Sequence, residues 1–276
     1  MLQSTFLFLA GIGEATERRL WSEGLTTWDS FLDTPLVPGI SSARKALYNT
    51  EIVAAQEELA RGNARYFARR LKPRDHWRLF DAFRARTVYL DIETTGTAPH
   101  SSDITMVGLY GGGRLTTLIR GETLTADRLA EELEQYDVIV TFYGSVFDLP
   151  FLKMKYPQLR LDHPHVDLCF AARRLGYRGG LKHLESALGL TRPAAISGLN
   201  GWDAARLWHH WQMGDEAALE QLIRYNAADT THLAWLAEEI YRKLVAYFGP
   251  PLPSGTGVEP GEAHRATDCL DNPADW

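Results

Sequence analysis

An apolar run, Thr87-Val88-Tyr89-Leu90, ends in Asp91-Ile92-Glu93, and this ending constrains the fold more than any other feature of the chain. Such a run reads as a buried central strand, and strand alternation puts Asp91 and Glu93 on the same side, facing one cleft. Two later stretches are placed to meet them. Asp137 to Phe142 is a β-branched run broken at Gly144, and Val146-Phe147-Asp148-Leu149 opens a helix. Asp148 thus falls where strand gives way to helix, the edge of an α/β sheet where ligands bind. In a long helical pattern from about Asp215 to Tyr247, Tyr225 and Asp229 stand four residues apart and share a face.

Four carboxylates suit a pair of hard cations, because Mg²⁺ prefers oxygen ligands and commonly takes only one or two carboxylates, with waters and substrate phosphate completing its shell. Two ions about 3.5–4 Å apart can activate a water and stabilise the leaving oxygen of an in-line displacement. Mg²⁺ or Mn²⁺, as two ions, is therefore the expected cofactor. Structural zinc fits less well. Cys169 and Cys269 lack ligand spacing, and no His-x-x-x-His pair encloses a glutamate.

These motifs resemble the DEDD, or DnaQ-like, 3′–5′ exonuclease superfamily on a ribonuclease-H-like fold, in the subgroup with Tyr-x-x-x-Asp in its third motif. A closer resemblance is to bacterial YprB-type ribonuclease-H-like proteins. It rests on Tyr143-Gly144-Ser145-Val146-Phe147-Asp148-Leu149-Pro150-Phe151, His165-Val166-Asp167-Leu168 with Ala172-Arg173-Arg174-Leu175, Leu181-Lys182-His183-Leu184-Glu185 and Tyr225-Asn226-Ala227-Ala228-Asp229, and covers roughly residues 86 to 245. The resemblance implies that Asp91 bridges both ions and that Glu93 binds the catalytic ion near the attacking water. It implies Asp148 on the other ion through water, Asp229 on the catalytic ion, and Tyr225 orienting the water. Where Tyr143 stands the family usually has asparagine, which is no direct metal ligand, so the departure bears on contacts to the strand. Asp167 reads as a helix N-cap before Leu168, with support of the carboxylate site from behind as the alternative.

The expected fold is α/β: a ribonuclease-H-like mixed sheet flanked by helices, with a small all-helical amino-terminal region. Strands are expected at about 87–93, 103–110, 114–120 and 137–142, and helices at 125–135, 146–155, 166–175, 181–188, 201–213 and 215–246. Gly111-Gly112-Gly113 reads as a hairpin turn and not as a phosphate loop, since no Gly-Lys-Ser/Thr follows. His209 and His210, among Trp208 and Trp211, read as packing and not as metal ligands.

Residues 1–40 resemble a helix-hairpin-helix unit, with two short helices around the Gly11-Ile12-Gly13 turn and Gly24. Backbone N–H groups at such a turn bind phosphate, which makes Gly11 and Gly13 candidate nucleic-acid contacts. Glu14 and Glu17 put negative charge near the turn, so a packing or protein-docking hairpin is the alternative. Residues 41–86 read as a basic helical connector, 87–247 as the catalytic domain and 248–276 as a flexible acidic tail.

The net charge of −6 is misleading for a nucleic-acid enzyme, because residues 249–276 hold five acids against Arg265 alone. Between Arg61 and Arg86 nine Lys or Arg face only Asp75 and Asp81. Arg69, Arg70 and Arg74 in this stretch are candidate phosphate contacts; a solvated helical face, with Trp77, Leu79, Phe80 and Phe83 buried, is the bland alternative.

No apolar run reaches the roughly 18–20 residues that span a bilayer, so no membrane partner is expected. Phe6-Leu7-Phe8-Leu9-Ala10 is too short, and lacks the basic lead, for a signal peptide. Two cysteines cannot make a disulfide framework, which favours a reducing cytoplasm. The implied activity is 3′–5′ hydrolysis of single-stranded nucleic acid, DNA or RNA. A nucleic-acid-binding scaffold with little turnover and a structure-selective endonuclease are the alternatives, since the fold does not fix polarity.

Overall fold

In the computed structural model, which describes residues 1–251, the chain builds a five-stranded mixed sheet flanked by helices. The tail expected over 248–276 lies, from 252 onward, outside the described residues. The elements are α1 (Glu14–Ser22), α2 (Trp28–Asp33), α3 (Ser42–Ala60), α4 (Ala64–Ala68), β1 (Thr87–Thr94), β2 (Ile104–Gly111), β3 (Arg114–Ile119), α5 (Ala126–Leu133), β4 (Val138–Thr141), α6 (Asp148–Lys155), β5 (His165–Asp167), α7 (Leu168–Arg174), α8 (Leu181–Leu188), α9 (Gly201–Gln212) and α10 (Glu216–Phe248). A 3-10 stretch, Pro73–Leu79, leads from α4 toward the sheet.

The strand order is β3-β2-β1-β4-β5, so the strand ending in the acidic pair is central. β1 pairs antiparallel with β2 and parallel with β4, and β4 parallel with β5. Gly112 and Gly113 have φ of 59° and 77°, the two left-handed positions that a tight hairpin between β2 and β3 requires.

Alternation along β1 divides the core. Val88, Leu90 and Ile92 join Leu129 and Leu133 of α5 and Phe151 and Leu152 of α6 in one apolar cluster. Burying each such side chain contributes about 1.5–3 kcal/mol. Tyr89 points the other way, into a cluster with Leu233, Leu236 and Ile240 of α10. Asp91 and Glu93 have the parity of Tyr89, so they rise toward α10.

Close approach of α10 depends on Gly108, which pairs with Asp91 across β1 and β2. A Cβ at Gly108 would collide with Thr230 and Asn226 of α10. The bare backbone lets the helix carrying Tyr225 and Asp229 settle against the acidic strand end.

The amino-terminal residues share the α10-side apolar cluster, with Trp28 stacked on Phe67 at 6.1 Å between centroids. Glu17 is 1 % exposed: its Oε1 accepts from Thr5 Oγ1 at 2.6 Å and Phe6 N at 2.7 Å, and its Oε2 pairs with Arg78 Nη2 at 3.0 Å. Its charge is spent internally and does not face solvent at the Gly11–Gly13 turn. Burial raises the Glu17 carboxyl, opposed by Arg78.

Candidate active site

Asp91, Glu93, Asp148, Tyr225 and Asp229 line one cavity of about 420 Å³ at the end of β1. Carboxylate oxygens of Asp91, Glu93 and Asp229 all lie within 4.8 Å of one another, the only His/Cys/Asp/Glu cluster of metal-holding geometry among the described residues. Asp148 opens α6 and belongs to the same wall without joining that group; its Oδ1 accepts the Ile92 N–H at 3.2 Å. Glu93, Asp148, Asp229 and Tyr225 are buried, and Asp91 is half-buried. His209 and His210 are exposed on α9, outside any such cluster.

Acids packed this way resist ionisation. Burial first, then the negative charge of Glu93, Asp229 and Asp148, holds the Asp91 carboxyl well above the usual carboxylate range. Burial and Asp229 do the same to Glu93, while burial pushes Asp148 up to about 7 against the pull of its backbone hydrogen bonds. Glu93 Oε1 is buried with no hydrogen-bond partner. Converging oxygens and an orphaned carboxylate oxygen are the donor set that a hard divalent cation takes. Asp91, Glu93 and Asp229 would hold such an ion, with Asp148 beside them.

Several groups brace the acids in roles that the sequence does not assign, although Lys182, Glu185 and Asn226 stand within the motifs quoted above. Asn226, wholly buried beside Tyr225, donates from Nδ2 to Asp91 Oδ2 at 2.9 Å. Arg192, from the irregular segment after α8, ion-pairs with Asp229 and grips Glu185 through Nε at 2.5 Å and Nη2 at 2.7 Å. Glu185 Oε1 also meets His232 Nδ1 at 2.9 Å. Arg192 opposes the rise that burial imposes on Asp229. Lys182 Nζ donates to the Tyr225 hydroxyl at 3.4 Å. Burial, followed by Asp229, Glu93 and Asp91, lifts the Tyr225 phenol far above its ordinary value, so it stays a neutral donor.

Trp202 was also missed; it is 74 % exposed on the first turn of α9, at the mouth of the cavity, which Phe142, Tyr143 and Phe147 line as well. Asp167 proves to be both a cap and a brace. It accepts from Cys169 N at 3.1 Å as the α7 cap, and also from Tyr143 N at 2.8 Å, Ser145 N at 3.0 Å and Ser145 Oγ at 2.6 Å. The carboxylate thereby fixes the loop that precedes Asp148.

Tyr143, in that loop, has φ of 63° and is the only non-glycine residue with positive φ among the described residues. Asparagine visits this left-handed region far more readily than a bulky aromatic, which gives a backbone reason for asparagine there in the resembled family. Tyr143→Asn should therefore stabilise the protein by about 1 kcal/mol, read as a higher urea midpoint at unchanged slope. A lower midpoint would show that the ring's packing outweighs the strain.

The candidate phosphate contacts lie apart from the acids. Arg69 caps α4 and is exposed, Arg70 stacks over Tyr66 with 3.7 Å from Cζ to the ring centroid, and Arg74 pairs with Glu14 at 2.8 Å. Gly13 is the N-cap of α1, and Gly11, with φ of 83°, lies beneath the Arg44 guanidinium.

The raised carboxyls make the metal-free protein pH-sensitive. A carboxyl whose folded pKa exceeds its unfolded one adds stability that is fully present below the unfolded value and is lost as pH rises through the folded value. For Asp148 that loss runs from the ordinary value of 3.8 up to about 7 and is complete above it. Buried His76 and His165 are shifted down, His165 to about 4, and destabilise in acid instead. Comparing wild type with Asp148→Asn cancels them. With chelator present, the advantage of Asp148→Asn in urea unfolding should grow by about 1.4 kcal/mol per pH unit between about pH 4 and pH 7 and level off above that; a pH-independent difference would place Asp148 in an ordinary carboxylate environment.

The family model for RNase_H_2, described as RNase_H superfamily, matches residues 88–241. No curated protein matches the chain. Among solved structures, the family B DNA polymerase from the hyperthermophilic archaeon Pyrobaculum calidifontis is similar at 18% identity and TM-score 0.48, over 58% of this chain but only 25% of that one. Brucella melitensis NrnC with bound Mg²⁺ is similar at 22% identity and TM-score 0.45, over 61% of this chain and 78% of that one. The Aedes aegypti Nibbler EXO domain shows 14% identity and TM-score 0.45, over 63% and 87%. No helix among the described residues is long and apolar enough to cross a membrane. With more than half of the chain matched by the family model, and a five-stranded mixed sheet whose central strand carries the acidic pair Asp91 and Glu93, the protein belongs to the RNase H superfamily.

Proposed function

We propose that the protein is a divalent-metal-dependent 3′–5′ exonuclease of the DEDD type with a tyrosine in its third motif, similar to YprB-type proteins, acting on single-stranded nucleic acid. The observation that carries this reading is the convergence of Asp91, Glu93 and Asp229 oxygens within 4.8 Å in a cavity that Tyr225 and Asp148 also line. Bound Mg²⁺ or Mn²⁺, as two ions, would supply the charge that activates water and stabilises a leaving oxygen.

The chain's own residues do the rest. Asp91, Glu93, Asp148 and Asp229 supply oxygen ligands, and Asn226 fixes the Asp91 carboxylate by its hydrogen bond. Arg192 holds Asp229 from behind and favours its charged form. Tyr225, kept protonated, accepts from Lys182 and offers its own O–H to orient the attacking water. Trp202, Phe142, Tyr143 and Phe147 give the cavity faces on which unpaired bases stack, which supports a single strand. Arg69, Arg70 and Arg74, with the Gly11–Gly13 turn, serve phosphates farther along the strand. In this reading residues 1–40 and 41–86 form a strand-binding extension of the catalytic domain at 87–247.

Product length over time on matched DNA and RNA strands labelled at the 5′ end tests this. A ladder shortening by single nucleotides is expected. One discrete internal cut would mean an endonuclease, and binding without cleavage a scaffold.

A further inference from the structure

A second cavity of about 420 Å³ lies beyond the loop that carries Tyr143, between the Pro73–Leu79 stretch, β5 and α7. A narrow ridge separates it from the acidic cavity. Tyr143 lines the acidic side and Ser145 the other, and Asp167 pins both backbone N–H groups. Across the ridge the Tyr143 ring meets Phe170, which lines the second cavity, with 6.0 Å between centroids at 33°.

The second cavity's walls suit a base flanked by phosphates. Trp77, Phe170 and His165 offer flat rings, and Arg74 and Arg174 bring guanidinium groups to it. Arg174 is held by the Arg74 carbonyl at 2.8 Å and by Asp75 at 3.6 Å. Arg74 is 59% exposed and engaged mainly with Glu14. An exposed pair of that kind is weak, so a strand phosphate can take the place of Glu14. Arg74 also belongs to the basic stretch from Arg61 to Arg86 and brings it to this cavity.

We propose that this second cavity is a nucleobase subsite, which holds the base next to the 3′-terminal nucleotide while the terminal nucleotide lies in the acidic cavity. The strand then crosses the Tyr143–Phe170 ridge, and its next phosphates meet Arg74. This subsite rests on the nuclease reading above. It also gives the strained backbone of Tyr143 a use, since the left-handed conformation turns an aromatic ring toward the crossing point where asparagine would leave none. Strain of this kind persists where function retains it.

Single-stranded DNA carrying one abasic residue at each of its last four positions in turn tests the proposal, in Mg²⁺, with wild type, Phe170→Ala and Phe170→Tyr. With wild type, an abasic residue at the penultimate position should raise KM about 10- to 100-fold, the effect of one stacked base, with kcat little changed. Phe170→Ala should raise KM for the intact strand comparably and lose the abasic penalty, and Phe170→Tyr should restore both. An equal penalty in wild type and Phe170→Ala, or a penalty at a different position, overturns the subsite while leaving nuclease activity intact. Failure of the wild type to cleave any strand, DNA or matched RNA, overturns the nuclease reading and the subsite with it.

Discussion

Asp91→Asn with Glu93→Gln should abolish cleavage and at the same time stabilise the metal-free protein. Both carboxyls are held well above their usual range by burial and by each other's neighbours, so amides of the same shape relieve repulsion without opening a cavity. Asn226 keeps a carbonyl oxygen to donate to at position 91, where it now donates to Asp91 Oδ2. Two of the three converging oxygen ligands are weakened, and a cation's transition-state stabilisation is worth several kcal/mol, so the rate should fall by roughly 10³-fold or more. Thermal unfolding in chelator should show a higher midpoint than wild type, and Mg²⁺ should no longer raise it. A double variant that unfolds would make Asp91 and Glu93 a structural pair. One that still cleaves would move the chemistry elsewhere.

Tyr225→Phe should leave the fold, cation affinity and strand binding intact and lower kcat by about 10²- to 10⁴-fold, the usual contribution of a positioned proton-transfer group. The phenol is 5 % exposed, and its ring packs with Met106, Ile119 and Leu222, contacts that phenylalanine retains. What is lost is a hydroxyl aimed among Asp229, Glu93 and Asp91, whose negative charge keeps it protonated. Asp229→Ala differs in kind: it strips a converging ligand and leaves the Arg192 guanidinium, 7 % exposed, without one of its two acids, so cation affinity should fall together with the rate. Single-turnover rates and cation titrations on the two variants separate the roles. A wild-type rate for Tyr225→Phe would make the Tyr-x-x-x-Asp spacing incidental.

The parts of this site legible in the sequence are those with a period. Alternation along β1 placed Asp91 and Glu93 on one face, and the 3.6-residue repeat of α10 placed Tyr225 with Asp229, because both elements are long and half-buried. The β2–β3 hairpin was legible from its glycines. β5 was not, since His165–Asp167 spans three residues, too few for alternation to show. Arg192 and Trp202 lie in or just after the irregular segment that follows α8, where no spacing links them to the acids; only the packing of α8 and α9 against α10 does. The amino-terminal turn misled for a related reason. Glu17 looks like surface charge in the sequence, yet tertiary packing buries it against Arg78, a partner sixty-one positions away in the chain. Tyr143 was legible as a departure from the resembled family, but its meaning lay in a backbone angle.

The central claim is that the β1 acids and Asp229 seat divalent cations at the 3′ end of a strand. Anomalous diffraction from crystals of the protein grown with Mn²⁺ and a short single strand, under conditions that slow cleavage, tests it most directly. The account predicts Mn²⁺ density in contact with Asp91, Glu93 and Asp229, with Asp148 beside it and the terminal phosphodiester within reach of the Tyr225 hydroxyl. Mn²⁺ density absent from this cavity, or a strand bound with its 3′ end away from it, would contradict the account.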